Sequence, residues 1–251
     1  LFRDVPSGAG RGGNIRLSYP DLDRLLEDGV AWMVEHGYGQ PEDLDRCEES
    51  GTIEGADPAA VSDRAKKRGL PQVGTLGSGN HFLEVQYVER IFEPQIAQTL
   101  GLYENEVVVL IHSGSRGLGH QVCTDSLRDM DAGMRRYGID LPDRQLACVP
   151  VHSKEGQEYL AAMRASANFA WANRQGITHF TRGAFKRIFG EKEELRVVYD
   201  VCHNIAKLER HTVNGREMDV MVHRKGATRA FPAGRPEVPD VYKHVGQPVL
   251  I

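Results

Sequence analysis

Four histidines of this chain stand where a loop meets an apolar, strand-like run. His81 follows the glycine loop Gly74-Thr-Leu-Gly-Ser-Gly79, His112 ends the run VVVLI, His203 follows RVVYDVC and His223 closes MDVMV. Neutral imidazole is the commonest metal ligand, and loops at strand ends can be shaped freely around a rigid sheet. Three or four such rings converging on one point would suit a divalent ion, or two ions sharing bridging oxygen or sulfur donors. Taken singly, each histidine is more often a packed, hydrogen-bonded structural residue. No HxH, HxxxH or HExxH spacing is present, so the weight lies on their joint placement. Cys202 adjoins His203, but neighbours in an extended strand point to opposite faces, which assigns its thiol to the core.

The glycine loops add a second kind of chemistry. In GTLGSGNHFLEV, residues 74–85, the glycines mark positive φ or a ligand approaching the backbone. In HSGSRGLGH, residues 112–120, the hydroxyls of Ser113 and Ser115, the Arg116 guanidinium and free N–H groups at a helix start make an oxyanion or phosphate cradle. It is neither a Walker A loop nor a GxGxxG turn. Lys66-Lys67-Arg68 and Arg224-Lys225 with Arg229 abut these loops and suit polynucleotide phosphates. Arg182, Lys186 and Arg187 fit a solvated helix face.

The elements that must position these groups are α and β in alternation. Leu22, Leu25, Leu26, Val30, Met33 and Val34 share one helical face and predict a single helix over 20–36. Residues 41–57 carry seven acids against one arginine and suit a solvated loop, and Asp57-Pro58 opens a helix toward Arg68. Residues 107–111 form a buried strand, 121–137 and 153–189 are helical, and 196–202 and 218–223 are strands. The expectation is an α+β fold, with mixed sheets and flanking helices in one domain over 1–251 and no internal repeat.

Composition narrows the class further. With 31 basic and 35 acidic residues the net charge is −4, so any phosphate-rich partner meets a local patch rather than a basic field. No run approaches the roughly 20 apolar residues that span a bilayer, and the first residues lack a signal-peptide layout. We therefore expect a cytoplasmic protein with no membrane association. Cys47, Cys123, Cys148 and Cys202 are scattered without a CxxC pair, which fits reduced thiols. A first residue Leu1 and a last run Pro248–Ile251 lead us to expect a piece of a longer chain.

The motifs GTLGSGNHFLEV, HSGSRGLGH, CHNIA and HRKGATRA, in this order, together with LFRDVPSGAG at the start, resemble the RtcB family of RNA-splicing ligases. That resemblance covers essentially the whole chain and implies an RtcB-like catalytic domain. It implies an enzyme that uses GTP and two Mn²⁺ ions to join RNA 3′-phosphate or 2′,3′-cyclic phosphate ends to 5′-hydroxyl ends, tRNA halves among them. His81, His112 and His203 match the family's metal ligands. Asn80, His81, Phe82, Leu83 and Glu84, with His203 and Asn204, match its nucleotide-binding segments. Arg68 and Arg116 match residues that hold RNA phosphate, and Lys225 is added to them. Some family members also engage archease, an activating partner.

The departures from the family pattern bear on activity. Neither the Asp-x-Gly-Cys-Gly metal motif nor the His-Gly-Ala-Gly-Arg segment, whose histidine carries GMP, occurs in these residues. A Pro-Gly-Ser-Met loop is expected after Ile251. The nucleophilic histidine is thus not present in this chain, and we expect the isolated chain not to ligate RNA. Two other readings use the same residues: a dinuclear metallophosphoesterase acting on cyclic or terminal phosphates, and a non-catalytic RNA-binding module. Imidazoles by themselves do not choose between manganese, zinc and other ions.

Overall fold

The first helix begins where its sequence supplies a reciprocal cap. Ser18 Oγ accepts the Asp21 N–H while the Asp21 carboxylate accepts the Ser18 N–H, a reciprocal cap whose loss typically costs about 1 kcal/mol. Helix α1 (Tyr19–Asp28) then presents Leu22, Leu25 and Leu26, all fully buried. In this computed structural model, which describes residues 1–143, 146–192 and 194–250, the helix expected over 20–36 is broken in two. Gly29 takes φ 55° and ψ −124°, and helix α2 (Val30–Glu35) starts in a new direction. A Cβ at residue 29 would run into the Gly51 carbonyl, so the apolar spacing continues through a turn that only glycine allows.

Further helices follow: α3 (Pro41–Leu44), α4 (Asp63–Gly69), α5 (Pro94–Leu100), α6 (Arg116–Tyr137) and α7 (Lys154–Phe189). Segment 41–57 is not the solvated loop its acidity suggests. It holds α3 and a 3-10 turn over Glu48–Gly51, and it buries Asp43 and Glu48. Asp43 accepts a two-pronged bond from Arg182 (2.7 Å each), so Arg182 is a buried partner and not part of a solvated face. Glu48 pairs with Lys207 (3.0 Å) and Arg229 (3.4 Å). Asp57 caps a short 3-10 turn, Pro58–Ala60, and Ser62 caps α4 separately, so the helix expected from Asp57 to Arg68 is likewise two elements.

The architecture is α+β, as expected, and the two sheets found among the described residues are two-stranded and antiparallel. Strand β1 (Phe82–Tyr87) pairs with β2 (Val107–His112), setting Phe82 opposite His112. Strand β3 (Asn204–Val213) pairs with β4 (Arg216–Lys225), setting Asn204 opposite Lys225 and Ala206 opposite His223. The VVVLI run is only half-buried, with Val107 exposed, because one face of β2 lines a cavity. The strand expected at 196–202 does not form. Those residues run extended, and the β-bridge found among them in the described residues is a parallel one between Cys47 and Asp200.

Helix α7 is the axis of the body. Its middle, Ala165–Ala172, is buried throughout, and its alanines let α1, α2 and α6 approach closely. Phe169 joins Leu22, Leu25, Leu26, Met33 and Leu118 in the main core, while Trp171 joins Val30, Cys47, Cys202 and Ile205 in a second cluster. Each fully buried Leu or Phe contributes about 1.5–3 kcal/mol. Among the described residues no helix is long and apolar enough to cross a membrane.

Candidate functional site

A cavity of about 1840 Å³ opens between β2 and α7 and is walled on its third side by residues 196–204. Four histidines line it, and three of them, His81, His112 and His203, stand in a row. The His81 and His112 rings lie 5.8 Å apart, and the His112 and His203 rings 4.9 Å apart at a near-perpendicular angle. His81 directly precedes β1, His112 is the last residue of β2 and His203 directly precedes β3, so the sheet edges fix their spacing. His223 does not join them. It lies within β4, exposed, with Nδ1 3.3 Å from the Met221 carbonyl.

The ring chemistry suits lone-pair donation. Burial holds the His81 imidazole below its ordinary range, and Arg116 and His112 add to this against the pull of the Leu76 carbonyl. Burial likewise lowers His203, helped by His112 and Arg174. His81 Nδ1 lies 2.9 Å from the Leu76 carbonyl and 3.0 Å from Arg116 Nη1. A carbonyl only accepts and a guanidinium only donates, so one contact at a time is a hydrogen bond. With Nδ1–H on Leu76 O, Nε2 keeps a free lone pair, the arrangement usual for a ligating histidine.

The spacing of neighbouring rings suits an ion shared by two of them. Two imidazoles sharing an ion place their ring centres about 5–6 Å apart, which is the spacing seen along the row. Among the described residues, however, no group of three or more His, Cys, Asp or Glu side chains is gathered tightly enough to hold an ion. Cys202 is not a fourth donor. It is buried in the second core cluster as expected, and burial pushes its thiol up to about 11.

Arg116 flanks the histidine row. It opens α6 with φ 53°, a left-handed value rare in a side-chain-bearing residue, and its Nε donates to Thr75 Oγ1 (3.3 Å). Its guanidinium occupies the volume that a Cβ on Gly77 would need. The loop's glycines take positive φ, as one of the two readings had it, but at two of them the close neighbour is the protein's own side chain: Gly77 admits arginine, and Gly74 admits the Phe180 ring, which a Cβ would meet at 2.8 Å. Only Gly79, at φ 78°, faces open space.

The remaining candidates divide by position. Asn80, Phe82 and Asn204 line the cavity, Phe82 edge-on to His112 at 5.2 Å and Asn204 accepting the Gly226 N–H (2.8 Å). Leu83 faces away from Phe82 by strand alternation, and exposed Glu84 accepts from Gln86 (2.9 Å). Arg68 sits behind the cavity rim, bonded to Gln121 (2.9 Å) and 3.4 Å from His120 Nδ1. Lys225 is exposed at the end of β4.

Sequence reasoning missed the residues that tie these loops together, Asn173 and Arg174 of α7. Asn173 Nδ2 lies 3.1 Å from each of Thr75 O, Ser113 Oγ and Gly114 O, and its Oδ1 accepts the Thr75 N–H (3.0 Å). Arg174 donates to the Ser113 carbonyl (3.1 Å) and to Asp200 (2.7 Å). The available signal was the polar Asn-Arg-Gln run at 173–175 inside an otherwise Ala-rich helix.

Comparison with known proteins gives a single answer. The family model for the tRNA-splicing ligase RtcB matches residues 1–251. The chain is 58% identical over 254 aligned residues to the tRNA-splicing ligase RtcB of Thermococcus kodakarensis, with all of this chain and 53% of that protein covered. It is 57% identical to the protein of the same name from Archaeoglobus fulgidus, again with 53% of that protein covered, and to that from Pyrococcus abyssi, with 28% covered. The chain thus spans about half the length of the Thermococcus and Archaeoglobus relatives it matches.

Proposed function

The chain belongs to the RtcB family, and from that premise we propose that it supplies the metal-holding and phosphate-holding walls of an RNA ligase. The ligase joins RNA 3′-phosphate or 2′,3′-cyclic phosphate ends, such as those of tRNA halves, to 5′-hydroxyl ends. Residues 1–251 are taken as part of one catalytic domain. The observation that carries the proposal is the row His81, His112, His203 beside Arg116, brought together from three separate loops in one cavity.

In this reading each wall has a task. The three imidazoles offer nitrogen lone pairs to Mn²⁺. When bound, a pair of such ions screens phosphate charge and orients an in-line displacement. Arg116, pinned by Thr75 and next to His81, presents a guanidinium to a phosphate oxygen at that end of the row. Asn80 and Asn204 hydrogen-bond a guanine nucleotide, and Phe82 packs against it while fixing the His112 ring. Arg68 and Lys225, outside the cavity, hold RNA backbone, where opposite charge positions a strand without reading its bases.

Guanylylation needs a nucleophile this chain does not carry, since it contains no His-Gly-Ala-Gly-Arg segment. The isolated chain therefore binds Mn²⁺ and GTP without becoming labelled and without joining RNA. Incubation with radiolabelled GTP and Mn²⁺ tests this: GMP attached covalently to the chain would overturn it. Opening of a 2′,3′-cyclic phosphate without any GTP would shift the assignment to a phosphoesterase.

A further inference from the structure

The three histidines hang on three loops, and two adjacent residues of α7 touch all three. Residues 173 and 174 of a helix point about 100° apart, which lets the pair serve two directions at once. Asn173 is fully buried and grips the backbone of Thr75 through both N–H and C=O, while reaching Ser113 Oγ and the Gly114 carbonyl. Ser113 Oγ passes this on to the Leu76 carbonyl (2.9 Å), the same oxygen that meets His81 Nδ1. The first direction thus fixes His81 relative to His112, the neighbour of Ser113.

The second direction fixes His203. Arg174 bonds the Ser113 carbonyl with Nη1 and Asp200 Oδ1 with Nε, and its Nη2 lies 3.8 Å from Cys202 Sγ. Burial disfavours the Arg174 charge, but the Asp200 carboxylate more than offsets this and keeps the guanidinium charged. On its far side segment 200–202 is held by backbone bonds between Asp200 and both Arg46 and Glu48, and by the Glu48 carboxylate on Cys202 N–H (3.1 Å). Two corners of a single rigid guanidinium therefore join the segment beside His112 to the segment beside His203.

We propose that Asn173 and Arg174 are positioning residues that set the separation of the three imidazoles, so that divalent-cation affinity at the row is determined from α7. This rests on the reading of the row as a metal site. Arginine is required because lysine, although it would still neutralise Asp200, cannot bond Ser113 and Asp200 together with one fork. Outer-shell partners of this kind typically govern metal affinity by about 10–100-fold.

The test is Mn²⁺ titration of the full 251-residue chain, followed by the electron paramagnetic resonance signal of the free ion, with melting of the metal-free protein measured alongside. Arg174→Lys and Asn173→Asp are each expected to weaken Mn²⁺ binding by about tenfold or more. Arg174→Lys keeps the counter-charge and is expected to melt within a few degrees of wild type. Should Asn173→Asp fail to fold, Arg174→Lys alone decides. Wild-type affinity in Arg174→Lys would mean that a counter-charge suffices, and it overturns the proposal. A wild-type chain that binds no Mn²⁺ removes the metal-site reading, and the proposal with it. That outcome is distinguished from the previous one by the wild-type titration itself.

Discussion

Arg116 lies across Gly77, its guanidinium filling the space where any other residue would carry a Cβ. The glycine loop and the arginine loop are therefore one structural unit: the first is bare at residue 77 because the second leans on it. Arg116 itself sits at φ 53°, and backbone strain of this kind persists where the surroundings over-determine it and clusters at functional sites.

Gly77→Ala and Gly79→Ala separate the two costs of losing a glycine here. Both positions have positive φ, 96° and 78°, but residue 79 faces open space. Gly79→Ala is expected to cost about 1–2 kcal/mol, the backbone strain alone. Gly77→Ala should cost a further 1–3 kcal/mol or so, because it also displaces Arg116. Urea denaturation of the two variants checks this, and equal destabilisation would show that Arg116 is free to move aside.

A second prediction concerns acid stability. Burial raises the Asp43 carboxyl, but the Arg182 fork, the Gln40 N–H and Gln175 outweigh it and hold the group below its ordinary value of 3.8. The folded state then binds fewer protons at Asp43 than the unfolded state does. The stability this contributes is complete above 3.8 and is lost as the pH falls through the lower folded value. Asp43→Asn, which strands the Arg182 charge, is expected to cost about 3 kcal/mol or more at pH 7. It should also flatten the fall in stability below pH 4, measured by urea midpoints from pH 7 to 2.5. An unchanged acid limb would assign acid sensitivity to other carboxylates.

The same pair shows where sequence was legible and where it was not. The three clustered histidines, the glycine-rich loop that opens α6 at Arg116 and the α+β alternation follow from local patterns, since strand ends and glycine loops leave short-range marks. Asp43 looked solvated because its partner lies 139 residues away on α7, and no local period encodes such a pairing. The break at Gly29 hid inside a continuous helical spacing because what forbids a side chain there is the distant Gly51 carbonyl. His223 shared the strand context of the other three, but its place within β4 leaves it outside the cavity.

Thiol reactivity distinguishes the cysteines. Cys123 and Cys148 are exposed, whereas Cys47 and Cys202 are buried, and burial pushes the Cys202 thiol up to about 11 and raises Cys47 as well. Since the thiolate is the reactive form, a disulfide reagent at pH 8 should titrate two thiols quickly in the native chain and all four only after denaturation. Mn²⁺ should protect neither fast thiol. Rapid loss of Cys202, identified by mass spectrometry, would contradict its place in the core and reopen it as a ligand.

The decisive position in the row is its middle. His112 is 5.8 Å from His81 and 4.9 Å from His203, ring to ring, so any ion held by two of the three rings at these spacings uses His112. His112→Ala should therefore weaken Mn²⁺ binding by more than the roughly 10–100-fold that outer-shell partners command. Loss of either terminal histidine leaves one usable pair and a partial effect. His223→Ala is the matched control, a histidine of similar local sequence on an exposed strand position, and should bind as wild type does. The ion itself is chosen by ligand type and geometry rather than by imidazole alone, so Zn²⁺ should follow the same ranking. Titration of the four variants against both ions checks the scheme. Equal losses at His112 and His223 would mean that adventitious surface histidines, and not the cavity row, hold the metal.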